Sequence, residues 1–238
     1  MRYQGGKSRI AADIAAIINH QVEGGDSLTF VSLFCGSCAV EAHIRGFKRV
    51  VCNDKHEYLI ALLQGVQRGY ELPDEVSAEQ YKYIREHKTE DPVLTGFTGF
   101  GCSFGGKWFG GYARSQKDRS FAAESKRSLL RDMVHLQNAE FICNDYRNVS
   151  IPRGAVIYAD PPYANTTDYR FEKFDTEAFW VCMRLLAETG HTVFISEQTA
   201  PKDFVAIWEK PFMRQIDRNK NNQFVVTEKL FIYGGKRL

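Results

Sequence analysis

The sequence predicts an α/β fold with a mostly parallel sheet, an antiparallel hairpin near its end and a small insert before the middle strands. Three observations carry this. Short apolar, β-branched runs (28–34, 49–53, 140–143, 155–159 and 192–196) alternate with stretches whose apolar residues recur at helical spacing. Two later strand-like runs, 213–216 and 224–233, flank a polar turn from Asp217 to Asn222. A segment rich in glycine, aromatic and basic residues separates the second and third strand-like runs.

The bulk numbers are those of a globular protein. The chain has 238 residues, 25% charged and 44% hydrophobic, enough for one sizeable core and a small appendage. No apolar run approaches the ~20 residues a membrane helix needs, and Met1 to Lys7 lacks the apolar core of a signal peptide. A cytoplasmic location is expected, without a membrane partner. Cys35 and Cys38 form a CxxC, but with neither a second CxxC nor a His-x-x-x-His, no metal site is expected.

Taken in order, Tyr3-Gln4-Gly5-Gly6-Lys7-Ser8 comes first. Gly-Lys-Ser suggests a P-loop, but its first glycine position falls on Met1 and no strand precedes it, so that reading fails. Ile10, Ile14, Ile17, Ile18 and Val22 then predict a helix closed by Gly24-Gly25. The strand at 28–34 runs into Phe34-Cys35-Gly36-Ser37-Cys38, with a helix expected from Ala39. Strand, glycine turn and helix form a common nucleotide-binding entry, though Gly36 alone serves equally well as an ordinary tight turn. The next strand ends at Asp54, roughly 20 residues after the glycine turn, where such folds hold a ribose diol. Taken alone, Asp54 also reads as a helix cap.

Helices are predicted at 57–70 and 77–87. Seven of the chain's 19 glycines then fall between Gly96 and Gly111, interleaved with Phe97, Phe100, Phe104, Trp108 and Phe109. That composition predicts a long loop or irregular hairpin, not a regular helix. A basic helix is expected to follow, through about Leu136. From Gly101 to Asp132 seven bases oppose three acids. Lys107, Trp108, Tyr112, Arg114, Lys117 and Arg119 are the candidate nucleic-acid contacts, by backbone charge and base stacking. The competing reading is a satellite core with a solvated charged face.

The strand at 140–143 ends in Asn144-Asp145-Tyr146, an acid and an aromatic placed to meet an adenine ring. The strand at 155–159 stops at Asp160-Pro161-Pro162-Tyr163. Each proline fixes its own φ and pushes the residue before it towards extended geometry. Asp160 and the Pro161 carbonyl are thus held stiffly at a strand's carboxyl end, an acid and an acceptor beside an aromatic plane. A loop is expected from Asn165 to Phe174, a helix capped by Asp175, and a short helix at 204–208.

Asp160-Pro161-Pro162-Tyr163, Phe34-Cys35-Gly36-Ser37 and Tyr3-Gln4-Gly5-Gly6-Lys7, in this order, resemble the Dam-like (D12 class) DNA adenine-N6 methyltransferases, over nearly the whole chain. The resemblance implies a Rossmann-like class I methyltransferase sheet, with 1–90 as the cofactor-binding half, 91–138 as a target-recognition insert and 139–238 as the catalytic half. It implies S-adenosylmethionine as cofactor and double-stranded DNA with a flipped adenine as partner. Tyr3, Lys7, Phe34, Gly36, Ser37, Asp54, Asp145, Tyr146 and Asp160 are then the cofactor-binding set. Asp160, Pro161, Pro162 and Tyr163 are the catalytic one. The chain departs from the family where Ser37-Cys38 replace a usual further glycine, where Tyr3 replaces a frequent Trp, and where Ser196-Glu197 replace a frequent Ser-Asn.

Asp160 and the Pro161 carbonyl would accept the two N6 hydrogen bonds, and Tyr163 would stack on the extruded base. The alternatives are cytosine-N4 or RNA adenine methylation on the same fold, a catalytically inactive nucleic-acid-binding module, and a redox pair at Cys35 and Cys38.

Overall fold

The computed structural model describes residues 1–20, 28–114, 119–162, 174–215 and 223–234. Its strands are β1 (Thr29–Ser32), β2 (Arg49–Asp54), β3 (Glu140–Cys143), β4 (Val156–Ala159), β5 (Thr192–Glu197), β6 (Phe204–Gln215) and β7 (Gln223–Tyr233). They form one sheet in the order β3-β2-β1-β4-β5-β7-β6. The first five run parallel; β7 lies antiparallel between β5 and β6. Chain order therefore reverses between β1 and β4, and the crevice beyond their carboxyl ends is where such sheets bind ligands. The mostly parallel sheet with an antiparallel C-terminal hairpin is as expected.

The helices are α1 (Ala11–His20), α2 (Glu57–Gln67), α3 (Ala78–Glu86), α4 (Pro92–Gly96), α5 (Phe121–Met133) and α6 (Thr176–Glu188). Alternation along the strands sends side chains to opposite faces. On one face Phe30, Tyr158 and Phe194 pack with Ile14 and Ile18 of α1. On the other, Val31, Leu33, Ile157 and Ile195 pack with Phe179 and Met183 of α6. A third cluster joins Cys52 and Phe141 to Leu59, Leu62 and Leu63 of α2 and to Leu129 and Met133 of α5. Ser77 forms a capping box for α3, and, as predicted, Asp175 caps α6 through the Ala178 amide. Among the described residues no helix is long and apolar enough to cross a membrane. The Gly24-Gly25 helix stop, the loop from Asn165, and the turn from Asp217 lie outside the described residues.

Three expectations are corrected. The helix expected from Ala39 is a single 3₁₀ turn, Glu41–His43. Ile44 leaves it in extended conformation, and the Arg45 guanidinium donates to the Ala42 and Ile44 carbonyls, ending the turn. The helix expected at 204–208 is the start of β6. There Phe204, Val205 and Trp208 suit a strand, and β7 supplies a partner along the whole length, with a bulge between Ala206 and Trp208. β6 is the sheet edge, so it tolerates Pro211.

Finally, the glycine-rich stretch begins helically. α4, capped by the Asp91 side chain at Leu94, runs into a π-helical turn, Phe97–Gly101. Its glycines permit close packing. A Cβ on Gly96 would sit 2.0 Å from the Tyr58 carbonyl oxygen, and one on Gly99 2.2 Å from the Trp108 ring. Only the second half is the expected hairpin, bridged at Ser103 and Tyr112.

Candidate active site

The tips of β1, β2 and β4 are tied to one another. The Leu33 amide donates to the Tyr158 carbonyl at 2.9 Å and the Cys35 amide to the Asn53 carbonyl at 2.7 Å. Asn53, buried at the end of β2, adds side-chain bonds to the Leu33 and Asn144 carbonyls, at 2.9 and 3.1 Å. The chain after β1 is thereby fixed against both neighbouring strands.

Gly36 sits in that turn with φ 49°, in the left-handed region. A Cβ there would meet the Tyr3 ring at 2.9 Å, so glycine satisfies both the backbone and the close approach of the N-terminal segment. The Gly36 amide donates to one Asp54 oxygen at 3.0 Å, and the His56 amide to the other at 2.9 Å. Asp54 therefore holds the glycine turn and the start of α2 together. Burial pushes its carboxyl up, opposed by these backbone donors. Each oxygen retains acceptor capacity for a hydroxyl. Ser37 is buried beneath Gly6.

Aromatic residues wall the region. Phe34 packs on Tyr146 with centroids 5.1 Å apart, and on Phe174 and Phe179 at 6.0 Å. Tyr146 is largely inside this cluster. Asp145 is engaged by a bidentate Arg147 guanidinium at 2.7 and 2.8 Å, with the Lys55 ammonium at 3.7 Å. The Arg147 pair holds its carboxyl down at about 2.

Asp160 leaves β4 in the same crevice. Its carboxylate accepts from the Lys7 ammonium at 2.6 Å, and Lys7 is buried. The same ammonium lies 3.9 Å from Glu228 of β7. Burial pushes the Asp160 carboxyl up, Lys7 pulls it back, and Glu228 adds to the rise. Pro161 is buried and Pro162 half-buried behind it. Tyr163, the fourth residue of the motif, lies outside the described residues.

The N-terminal segment also meets the insert. The Gln4 amide donates to the Gly106 carbonyl at 3.1 Å, and Tyr3 packs on Phe100 at 5.1 Å. Phe97 and Phe100 are core residues. Trp108 is half-buried among His56, Phe100 and Tyr58, 4.3, 4.9 and 5.5 Å between centroids. The Tyr112 hydroxyl donates to the Val76 carbonyl at 2.7 Å. Arg119 forms a bidentate pair with Glu124, at 2.7 and 2.8 Å. Arg114 is exposed, Lys107 half-buried, and Lys117 lies outside the described residues.

Sequence reading missed three groups here. Glu228 interrupts an otherwise apolar strand face, which is the signal that could have found it. Glu197, buried at the end of β5, has its carboxyl pushed up to about 7 by burial. Glu41, fully buried, accepts from the Ser32 hydroxyl at 2.6 Å and is also pushed up to about 7.

Comparison with known proteins bears out the motif resemblance. Residues 3–92 match the family model described as D12 class N6 adenine-specific DNA methyltransferase. The Type II methyltransferase M.FokI of Planomicrobium okeanokoites is 20% identical over 195 residues, covering 70% of this chain. The chain spans 29% of that protein's length. Among solved structures, the rRNA methyltransferase AviRa of Streptomyces viridochromogenes superposes with TM-score 0.46 at 14% identity, over 98% of this chain and 86% of that one. Precorrin 8w decarboxylase of Methanobacterium thermoautotrophicum gives 0.40 at 10% identity, over 93% and 88%.

Proposed function

We propose that this chain, whose residues 3–92 carry the D12 class pattern, transfers a methyl group from S-adenosylmethionine to N6 of an adenine flipped out of double-stranded DNA. The observation that carries the proposal is Asp160. It is a carboxylate at the carboxyl end of β4, beside the β1–β4 reversal, backed by two prolines and bonded to a buried lysine.

The crevice suits the cofactor. Asp54 stands at the tip of β2 with acceptor capacity for a ribose diol, Gly36 keeps the turn free of a side chain, and Phe34 offers an apolar wall. Tyr3, Ser37, Asp145 and Tyr146 complete the proposed binding set, with Asp160 and Lys7 at its catalytic side. Asp145 acts through its Arg147-paired carboxylate and Tyr146 from beneath Phe34. S-adenosylmethionine supplies the methyl group on a sulfonium.

Adenine N6 is a poor nucleophile because its lone pair is delocalised into the ring. Asp160 accepts one N6 hydrogen and the Pro161 carbonyl the other. Acceptors fixed before reaction favour a pyramidal nitrogen and stabilise the positive charge that develops on it. Pro162 braces the turn. Tyr163 stacks on the base, offsetting part of the few kcal/mol that unstacking costs. Lys107, Trp108, Tyr112, Arg114, Lys117 and Arg119 of the insert face the DNA in this reading, with Arg114 the exposed base best placed for a phosphate.

The test combines two measurements. Asp160→Ala should abolish methyl transfer while calorimetry still detects S-adenosylmethionine binding. Incubating purified protein with DNA of known sequence, then mapping modified bases at single-nucleotide resolution, should return N6-methyladenine. Near-normal turnover in the variant, or DNA modified only at cytosine or not at all, would refute the reading.

A further inference from the structure

The Lys7 ammonium is shared. It lies 2.6 Å from Asp160 and 3.9 Å from Glu228, and the three side chains come from the N-terminal segment, the turn after β4, and β7. Side-chain exposures of 5% for Lys7, 8% for Glu228 and 18% for Asp160 put all three out of bulk water, where charges interact strongly. Glu228 is on the face of β7 that also carries Leu230, which packs with Tyr158 beneath the catalytic turn. It is therefore on the side of the sheet from which Lys7 reaches Asp160.

A lone lysine at 2.6 Å would draw the Asp160 carboxylate's charge onto itself. The developing cation on adenine N6 would then compete with a fixed one for the same oxygens. A second carboxylate on the ammonium weakens that hold and adds negative potential where positive charge appears. We infer that Glu228 is a positioning residue, acting through Lys7, which keeps the Asp160 carboxylate available to the substrate amine. This rests on the reading of Asp160 as the catalytic acceptor.

The other titratable groups around Asp160 are Glu197 of β5, the Tyr158 hydroxyl (held by Ser196 at 2.9 Å) and Glu41 on the 3₁₀ turn after β1. Among the described residues none of these lies within ion-pair distance of Lys7, whereas Glu228 does, so its removal is expected to tighten the Lys7–Asp160 pair.

Glu228→Gln keeps shape and removes the charge. Its S-adenosylmethionine Kd and melting curve should stay near those of the parent, while kcat falls by about tenfold. The acid limb of the kcat–pH profile should move to lower pH, because Glu228 raises the Asp160 carboxyl. Glu228→Asp, which restores the charge, should recover most of kcat and return the limb. A folded Gln variant with unchanged kcat and an unmoved limb overturns the inference. So does an Asp variant as slow as the Gln one with its limb unmoved, since only packing is then at stake. Asp160→Asn, measured alongside, separates the cases: if it keeps its turnover, the catalytic reading of Asp160 itself has failed.

Discussion

The Asp54 carboxylate accepts the Gly36 amide at 3.0 Å, joining the tip of β2 to the glycine turn after β1. With its other oxygen it accepts the His56 amide, so one side chain holds both walls of the proposed ribose site. Replacing it with Ala strands two backbone donors. That should cost about 1–3 kcal/mol of stability and weaken S-adenosylmethionine binding by at least about tenfold. Denaturant titration and calorimetry on Asp54→Ala and the milder Asp54→Asn measure the two effects separately.

Gly36→Ala tests the turn from the opposite side. The left-handed φ and the 2.9 Å approach to the Tyr3 ring both oppose a methyl group. A loss of about 1–2 kcal/mol is expected from the backbone alone. Tyr3→Ala should recover only the part due to the ring. Full recovery in the double variant would mean the backbone carries no strain.

For the insert, Arg114 and Arg119 are predicted to differ. Arg114 is exposed, whereas Arg119 is engaged by Glu124. Arg114→Ala should lower the slope of log K against log salt for DNA binding by about one, weakening all sequences alike. Arg119→Ala should lower it less. Equal slopes for parent and Arg114→Ala would remove Arg114 from the interface.

Glu41 yields a pH prediction. Its carboxyl is raised from 4.5 to about 7 in the folded chain, burial being the first cause. Between those values the native state holds a proton that the unfolded state has lost, so stability falls as pH rises through this window and levels off above it. The loss is on the order of 3 kcal/mol. Glu41→Gln should flatten the dependence of Tm on pH between about 4.5 and 7 and raise Tm at pH 8. An unchanged profile would indicate that Glu41 is ionised in the folded state.

Gly96→Ala addresses how glycine reads in sequence. Its Cβ would sit 2.0 Å from the Tyr58 carbonyl oxygen, so α2 and α4 would have to separate, at a cost of about 3 kcal/mol. Chemical denaturation measures this directly. Gly105, with no atom within 4 Å of its would-be Cβ, lies at φ 64° and should lose only the backbone part, about 1 kcal/mol.

That contrast explains which parts of the molecule were legible. The parallel strands announced themselves because each is a short apolar run ending in a polar residue, and β1, β2 and β4 end at the glycine turn, Asp54 and Asp160. The run from Gly96 to Gly111 misled because glycine is used there in two ways. Gly96 and Gly99 are missing side chains in a packed helical turn, while Gly105 and Gly106 are left-handed corners. Composition alone cannot separate those uses. The start of β6 misled because its five residues suit either period, and only β7, which follows it, decides. Asp160 stood out as a candidate because prolines mark it. Glu228 was passed over: its place in an apolar strand face marks it only weakly, and the lysine it lies beside comes from the other end of the chain.

Lys7 and Asp160 are 153 positions apart, and Glu228 belongs to a strand inserted between β5 and β6, both made before it. The three side chains of this cluster therefore come together only once β7 occupies its slot between strands that precede it in the chain.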